Sequence, residues 1–594
     1  MSARKIKNIK KFEKNTYMLY NIKQINRFGR KGMNKKWELY EADSELVKKI
    51  ASQNNISEIL ATILVNRNII DSEQIKVFLN PTRHNFHDPY LMPDMKQAVD
   101  RIMKAIEKNE KIMIYGDYDV DGITSITVLK KFLNQIGIEV GYKIPNRLEE
   151  GYGLNKEGIK KIKEDGYDLI ITVDCGISGM EEIKYAYELG LEVIVTDHHE
   201  PLDELPVAEA VIDCKRKDSK YPFKNLAGVG VVFKLIQAIS IRMNLKEEEY
   251  LKYLDFVCIG TISDIVPLVD ENRVIAKLGL KLVKVTKNIG LKVLLNQIGY
   301  KQINSNAISF GIAPRINACG RMGHEDDAVK LFFTENEKEA IELTNKLNEY
   351  NRQRQDIEKR ILEESLAKIE KEQLYNKSAI VVGSENWHHG VIGIVASKIT
   401  DMFYKPSILI CFEGEDGKGS GRSIANFDLH EALCSVSSEL TKYGGHEMAV
   451  GLRLKKDKFL SFKDKFENLA DKANINNMIS IIKVDKEITG KDVNFSTIES
   501  LKDLEPFGES NEMPTFIYRN LRIDSIRSFV EGKHLILTLK DGNKILNAIG
   551  FNKGNLSTEY TIGDKIDVLG ILEVNSYNGM EMIQINIKDI RKSY

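Results

Sequence analysis

The 594-residue chain has no excess of charge of either sign, because its 86 lysines and arginines are matched by 86 aspartates and glutamates. The gross basic balance that advertises nucleic-acid binding is missing, so a polyanionic partner has to be met locally. Long apolar runs are missing too. None approaches the roughly 18 to 20 residues of a membrane span, and the start lacks the charged-then-apolar pattern of a secretory signal. Cysteine is scarce. The six (Cys175, Cys214, Cys258, Cys319, Cys411 and Cys434) lie far apart with no CxxC pair. That excludes a disulfide scaffold and a cysteine zinc site, and it suits a reducing cytoplasm. No Walker A lysine, HExxH or complete GxGxxG occurs, which removes the common nucleotide-binding and zinc-protease readings. With 42% apolar and 29% charged residues, dominant disorder is excluded as well, and the length predicts about three to five domains.

Residues 1–32 carry ten lysines and arginines against the single acid Glu13 and have little apolar periodicity. Two readings stay open: a basic arm for nucleic acid, or translation from too far upstream with Met33 as the start, which would make the net charge clearly negative. Residues 33–90 follow as an N-terminal segment. From 91 to 330, short apolar runs at 111–115, 140–144, 169–173 and 192–195 alternate with amphipathic helical patterns. Such runs predict parallel strands joined by βαβ crossovers. Residues 331–372 are highly charged and include Asn345 to Arg360 without glycine or proline, which predicts a long linking helix. Strand-like runs at 379–382 and 407–411, with many glycines, mark 373–465 as a second α/β domain. The last segment, 466–594, changes character. Ile583, Ile585 and Ile587 alternate with Gln584 and Asn586, and Asp541-Gly542 and Asn578-Gly579 supply hairpin turns. A small antiparallel barrel or sandwich is expected there.

Aspartates recur where the strands of the first domain should end. Gly116-Asp117-Tyr118-Asp119-Val120-Asp121-Gly122 follows the first run, Asp174 the third, and Asp197-His198-His199 the fourth. Ligands bind at that edge of an open parallel sheet, so acids spread over the sequence converge there. One strand-end aspartate is ordinarily a helix N-cap. Three in succession, one with tandem histidines, point to more. Clustered carboxylates repel unless something positive neutralises them, and an Asp/His mixture is a ligand set for Mn²⁺, Zn²⁺ or Mg²⁺. Two such ions, about 3.5 to 4 Å apart, would suit phosphoester hydrolysis. Asp117, Asp119, Asp121 and Gly122 also imitate an EF-hand loop, but its twelfth position would be Val128 where a bidentate glutamate is needed, so that reading fails.

At Asp197-His198-His199 the chain resembles the DHH phosphoesterase superfamily and, within it, the RecJ family of single-strand-specific DNA exonucleases. The resemblance covers nearly everything after Met33. It rests on Tyr115 to Gly122, Pro145-Asn146-Arg147 with Glu150 to Gly153, Thr172 to Gly176, the DHH triplet, GTISDIVPL from Gly260, RINACGR from Arg315, Trp387 to Val395, GSGRS from Gly419, Gly444-Gly445-His446, and LEPFGESNEMP from Leu504. It implies a parallel-sheet DHH domain, a second α/β DHH-associated (DHHA1) domain joined by a long helix, and an OB-like β-barrel.

The resemblance also implies functional roles. Asp119, Asp121, Asp174, His198 and Asp264 would ligate two Mn²⁺ or Mg²⁺ ions, with Asp174 as the bridge and Asp117 as a supporting carboxylate. His199 would face the scissile phosphate. Arg147, Arg321, Ser420 and Arg422 would hold the 5′-terminal phosphate, guanidinium groups being suited to that bidentate task. Gly444, Gly445 and His446 would approach a phosphate closely. His388 and His389 read as packing and loop residues. Arg522, Arg527, Lys533, His534 and Tyr577 are candidates for gripping single-stranded DNA on the barrel. The implied enzyme is a monomeric, cytoplasmic 5′-to-3′ exonuclease of repair and recombination that releases nucleoside 5′-monophosphates, with a RecQ-type helicase and a single-strand-binding protein as family-level partners. The alternative is a hydrolase of short oligonucleotides or cyclic dinucleotides, as in smaller DHH relatives.

Overall fold

The computed structural model describes residues 35–147, 149–577 and 580–593. The basic leader, Met33, the Asn578-Gly579 turn and the side chain of Tyr577 lie outside that description. The chain folds into two compact units. Of the described residues, one unit comprises those within 67–354 and 501–513, and the other those within 35–66, 355–500 and 514–593. The first strand, β1 (Lys36–Leu39), belongs to the second of these.

In the first unit, β2 (Ile112–Gly116), β3 (Val140–Lys143), β4 (Leu169–Val173), β5 (Glu192–Thr196) and β6 (Ala210–Ile212) form a wholly parallel sheet in the order β3-β2-β4-β5-β6. Every residue of β2 and β4 is buried. Helices cover both faces, which is why these strands read as continuous apolar runs instead of alternating ones. β3 and β4 flank β2 on opposite sides, so the crossovers diverge beside β2 and open a crevice at the strands' C-terminal ends. Helices Gly228–Arg242 and Leu254–Ser263 are buried nearly all round, as their largely apolar sequences require.

Two buried cations hold the periphery of this unit. Lys234 donates to Glu271 at 2.9 Å, and the pair is 1% and 0% exposed. Tyr221 Oη and the His87 amide also donate to Glu271, so both carboxylate oxygens are satisfied. Lys234→Met would strand a buried carboxylate and is expected to lower stability by about 3–5 kcal/mol. Urea unfolding measures this, and a loss below about 1 kcal/mol would show the glutamate re-protonating without penalty. Arg273 works through carbonyls instead of a carboxylate. It stacks on Phe78 and donates to the carbonyls of Phe78, Leu504 (3.0 Å), Asp503 (3.2 Å) and Glu505 (3.2 Å). That fork ties residues 501–513 into the first unit, although they fall inside the segment assigned by sequence to the last domain.

The charged stretch 331–372 is not one helix: residues 331–333 end the helix Asp326–Phe333, and the 35-residue helix Glu337–Lys371 starts after a break. Thr334 leaves the preceding helix Asp326–Phe333 with extended backbone, and the Asn336 side chain accepts from the Lys338 amide at 2.9 Å, capping the next helix. In the second unit, β7 (Ile380–Ser384), β8 (Ser407–Glu413), β9 (Asp416–Arg422), β10 (Lys442–His446) and β11 (Ala449–Lys455) form a mixed sheet in the order β10-β11-β9-β8-β7. Only its β7–β8 pair is parallel.

β12 (Ile481–Val484) pairs in parallel with β1, and β13 (Lys486–Glu487) leads into the barrel strands β14 (Phe516–Phe529), β15 (His534–Asp541), β16 (Lys544–Gly550), β17 (Lys565–Tyr577) and β18 (Met580–Lys592). The β14–β17 pairing closes the barrel. Its ladders are antiparallel, as the alternating sequence implies, apart from the β16–β18 seam, which runs parallel over Asn547 to Ile549. The Asp541-Gly542 turn joins β15 to β16, with Gly542 at φ +58° as a tight hairpin demands. Among the described residues no helix is long and apolar enough to cross a membrane, and five of the six free cysteines are buried.

Candidate active site

The crevice at the end of β2 and β4 gathers the strand-end acids. The chain turns out of β2 through Asp117, and Asp119 caps helix Val120–Gln135, its carboxylate accepting from the amides of Asp121 (2.9 Å) and Gly122 (3.1 Å). Asp119, expected from the resemblance to be a ligand, is thus also a helix cap. Asp174 follows β4 at φ +59°, a left-handed conformation that Asp and Asn tolerate best among residues with a side chain. Asp197, His198 and His199 follow β5, and Asp264 ends helix Leu254–Ser263.

Among the described residues three overlapping groups have ligand atoms within 4.8 Å of one another: Asp174, His198 and His199; Asp121, His198 and Asp264; and Asp117, Asp119 and Asp174. His198 Nε2 lies 3.2 Å from Asp174 Oδ1, 3.6 Å from Asp264 Oδ2 and 3.9 Å from Asp121 Oδ2. The five residues named as ligands thus converge, with Asp174 in two of the groups. Asp117, named only as a support, stands as near as they do.

The electrostatics ask for a cation. Burial pushes Asp117, Asp174 and Asp264 well above the usual carboxylate range, with further push from Asp119 on Asp117 and from Asp121 on the other two. Asp121 is pushed up to about 7 by burial and by Asp119, despite the amides of Gly228 (2.6 Å) and Val229 (2.8 Å) that donate to its carboxylate. Burial drives His198 down to about 3, so its imidazole is neutral and its Nε2 can ligate. His198 Nε2 and Asp117 Oδ1 are both buried with no hydrogen-bond partner. Divalent ions in the groups these atoms belong to would satisfy them and neutralise the acids, so the donor set fits Mn²⁺ or Mg²⁺. Saturating Mn²⁺ is accordingly expected to stabilise the fold by about 2.7 kcal/mol at a hundredfold excess over Kd. That corresponds to a rise in Tm of roughly 4 °C for a unit of this size. Thermal scans with Mn²⁺ and with chelator measure it, and identical melting would exclude tight metal binding.

His199 is handled differently. Burial opposes its charge, but Asp197, whose Oδ1 lies 2.7 Å from His199 Nδ1, overcomes that and pushes the imidazole up to about 9. Asp197 also accepts from the amides of Ile177 (2.9 Å), His198 (2.8 Å) and His199 (3.2 Å). These partners hold its own carboxyl below the usual range against its burial. The sequence pattern assigns Asp197 no role of its own. It likewise passed over Tyr152, whose hydroxyl lies 3.3 Å from His199 Nδ1 and donates to the Asp174 carbonyl at 3.3 Å. The N-terminus of helix Gly228–Arg242 was also missed. Its N-cap Ala227 offers no side-chain cap, so free amides are available to a carboxylate. Gly228 is required there, because a Cβ would stand 2.6 Å from Asp174 Oδ1.

Of the phosphate candidates, Arg147 stacks on Tyr118 at 4.7 Å, and both Arg147 and Arg321 act electrostatically on Tyr118, beside Asp117 and Asp119. Ser420 and Arg422 lie on β9 of the second unit, where Arg422 donates to Ser420 Oγ at 3.1 Å. Gly444, Gly445 and His446 are exposed on the edge strand β10. His388 caps helix His389–Phe403, and His389, its first residue, lies 3.4 Å from Glu413.

On the barrel, Arg522 and Arg527 lie five residues apart, which would put them on opposite faces of a regular strand. A bulge between Ile523 and Ser525 turns both outward. Lys533 and His534 sit at the β14–β15 hairpin. His534 packs against Phe529 and against Phe551, an exposed aromatic that sequence reasoning overlooked.

A parallel sheet with these strand-end acids and histidines defines a DHH-type phosphoesterase. The sequence profile of the DHH family N-terminal domain matches residues 111–261, that of the DHHA1 domain 376–474, and that of the RecJ OB domain 484–589. The chain is 40% identical to the single-stranded-DNA-specific exonuclease RecJ of Bacillus subtilis over 93% of its own length and 70% of the relative's. It is 33% identical to the Thermus thermophilus enzyme of that name, over 84% and 71% of the two chains. The crystal structure of RecJ in complex with Mn²⁺ from Thermus thermophilus superposes with a TM-score of 0.83 at 29% identity, covering 94% of this chain and 80% of that one. The corresponding Mg²⁺ complex gives 0.76 at 27% identity, over 94% and 79%. The chain belongs to the RecJ family of single-stranded-DNA-specific exonucleases, and it is a nuclease.

Proposed function

We propose that this chain is a two-metal exonuclease that enters single-stranded DNA at its 5′ end and releases nucleoside 5′-monophosphates during repair and recombination. The observation that carries the reading is the buried cluster of Asp117, Asp119, Asp121, Asp174, His198 and Asp264 within a chain related over most of its length to enzymes of that name. When bound, two Mn²⁺ or Mg²⁺ ions supply activation of water and charge neutralisation at the leaving oxygen. The chain's own residues do the rest. Asp174 faces both halves of the site, and neutral His198 offers Nε2. His199, kept cationic by Asp197, donates a hydrogen bond to a non-bridging oxygen of the scissile phosphate and so favours the charge that develops there. Arg147 and Arg321, beside Tyr118, meet the terminal phosphate; Ser420, Arg422 and the Gly444–His446 strand are the phosphate-binding groups that the second unit offers.

The barrel grips the following strand through Arg522, Arg527, Lys533 and His534, with no base readout. A RecQ-type helicase and a single-strand-binding protein are the partners this role implies, and the working unit is a monomer. The experiment incubates the protein and Mn²⁺ with 5′- and 3′-labelled single strands, duplex and short RNA. Mononucleotide is expected from the 5′ end of single strands. Mononucleotide from the 3′ end, or no action on long strands, overturns the reading in favour of a short-oligonucleotide hydrolase.

A further inference from the structure

The loop that leaves Asp264 is strained and exposed. Ile265 stands at φ +60°, a conformation that a β-branched side chain strongly disfavours, and it is 70% exposed. Strain of this kind persists only where the surroundings impose it, and it concentrates at functional sites. Here the imposing contacts are visible. The amide of Leu268 donates to the Glu509 carbonyl at 2.8 Å, and Gly508 packs so closely on Leu268 that a Cβ would stand 2.5 Å from its Cδ1. Residues 503–505 are in turn fixed by the Arg273 fork.

A second irregularity faces the same space. Residues Ala307–Ile312 form a π-helix, a geometry that recurs at functional sites, and it presents Phe310 with 70% of its surface exposed. Ile265, Val266, Phe310, Pro314, Phe507 and Met513 line one groove of about 530 Å³, within the range of small-ligand sites. Asn317 lies at its wall and accepts from the Val120 amide at 3.2 Å, next to Asp119. The groove therefore abuts the acid cluster twice, at Asp264 through Ile265 and at Asp119 through Asn317.

We infer that this groove is a nucleobase subsite, taking the flat face of a base that neighbours the scissile phosphate. The inference rests on the nuclease reading above. Its chemistry fits a base and not the backbone: the lining is largely apolar and includes Phe310 and Phe507, its serines and asparagines are neutral hydrogen-bonding groups of the kind a base edge can meet, and the exposed acids Glu509 and Glu512 repel phosphate. An apolar slot of this kind holds any base by stacking and contact, which leaves the enzyme indifferent to sequence.

The test uses the full-length protein with Mn²⁺. Phe310→Ala and Ile265→Ala alter exposed side chains, and Ile265→Gly relieves the backbone strain while removing the contact. Each is expected to raise KM for single-stranded DNA at least about fivefold, the lower bound for one lost base contact. The kcat and the half-saturating Mn²⁺ concentration should stay unchanged. An abasic residue scanned along the strand should reproduce the KM rise at one position in the parent enzyme and add nothing in Phe310→Ala. Variants that change kcat or the Mn²⁺ requirement but not KM would overturn the subsite, as would an abasic penalty that is equal in parent and variant. Failure of the nuclease reading looks different, because the parent enzyme would then degrade no single strand at all.

Discussion

Asp174→Asn is expected to abolish turnover, lowering kcat about a thousandfold or more while single-strand binding stays nearly intact. Asp174 belongs to two of the three ligand groups, and its Oδ1 lies 3.2 Å from His198 Nε2. Its loss removes one negative charge and one shared ligand from a centre whose other acids cannot move to replace it, since all of them are fixed at strand and helix ends. About 4 kcal/mol of lost stabilisation is a thousandfold in rate, and a displaced metal accounts for at least that much. Asparagine keeps the shape of the side chain and tolerates φ +59°, so the backbone at this position is preserved. Single-turnover rates and strand-binding isotherms measure the two quantities. Substantial residual turnover would remove Asp174 from the metal centre, and a parallel loss of binding would point to misfolding.

Asp197→Asn should lower kcat about a hundredfold or more, the usual scale for one disabled hydrogen-bond donor to charge that develops in the transition state. Asp197 touches no substrate; it is a positioning residue that acts through His199. Its carboxylate orients Nδ1 at 2.7 Å and keeps the imidazole charged at neutral pH. The amide variant still accepts a hydrogen bond but supplies no charge, so His199 falls back towards an ordinary or lower pKa in its buried setting. The pH profile of kcat should then lose its plateau near neutrality and rise only toward acid pH, where His199 is protonated again. The half-saturating Mn²⁺ concentration should not change. A raised Mn²⁺ requirement with an unaltered pH profile would mean that Asp197 acts on His198 and the metals instead.

The order of elements was legible because it depends on local patterns. Apolar runs such as 169–173 are buried on both faces, and such runs have few alternatives to a central parallel strand. The convergence of the strand-end acids was legible for a related reason: three strand-end aspartates with a His-His pair have to meet at one edge of a parallel sheet, whereas Asp264, at a helix end, entered only through the family resemblance. Roles that depend on backbone were not. Nothing in Ala227-Gly228-Val229 announces that two amides will donate to Asp121, since an amide's direction depends on where the helix is laid down. The shared outward face of Arg522 and Arg527 depends on a bulge of a single residue, which alternation alone cannot register.

By itself, then, the sequence determined the sheet, the barrel, the acids and the histidines, because these follow from periodicity and from residue type at strand ends. Only the tertiary structure decided which acids stand within reach of one ion, that Asp117 is among them, that Asp197 charges His199, and that residues 501–513 fold with the first unit to pin the loop after Asp264. Each of these is a contact that depends on how separate segments of the chain are brought together. Its distance and its desolvation are set by packing, and packing is a property of the whole fold that no local stretch encodes.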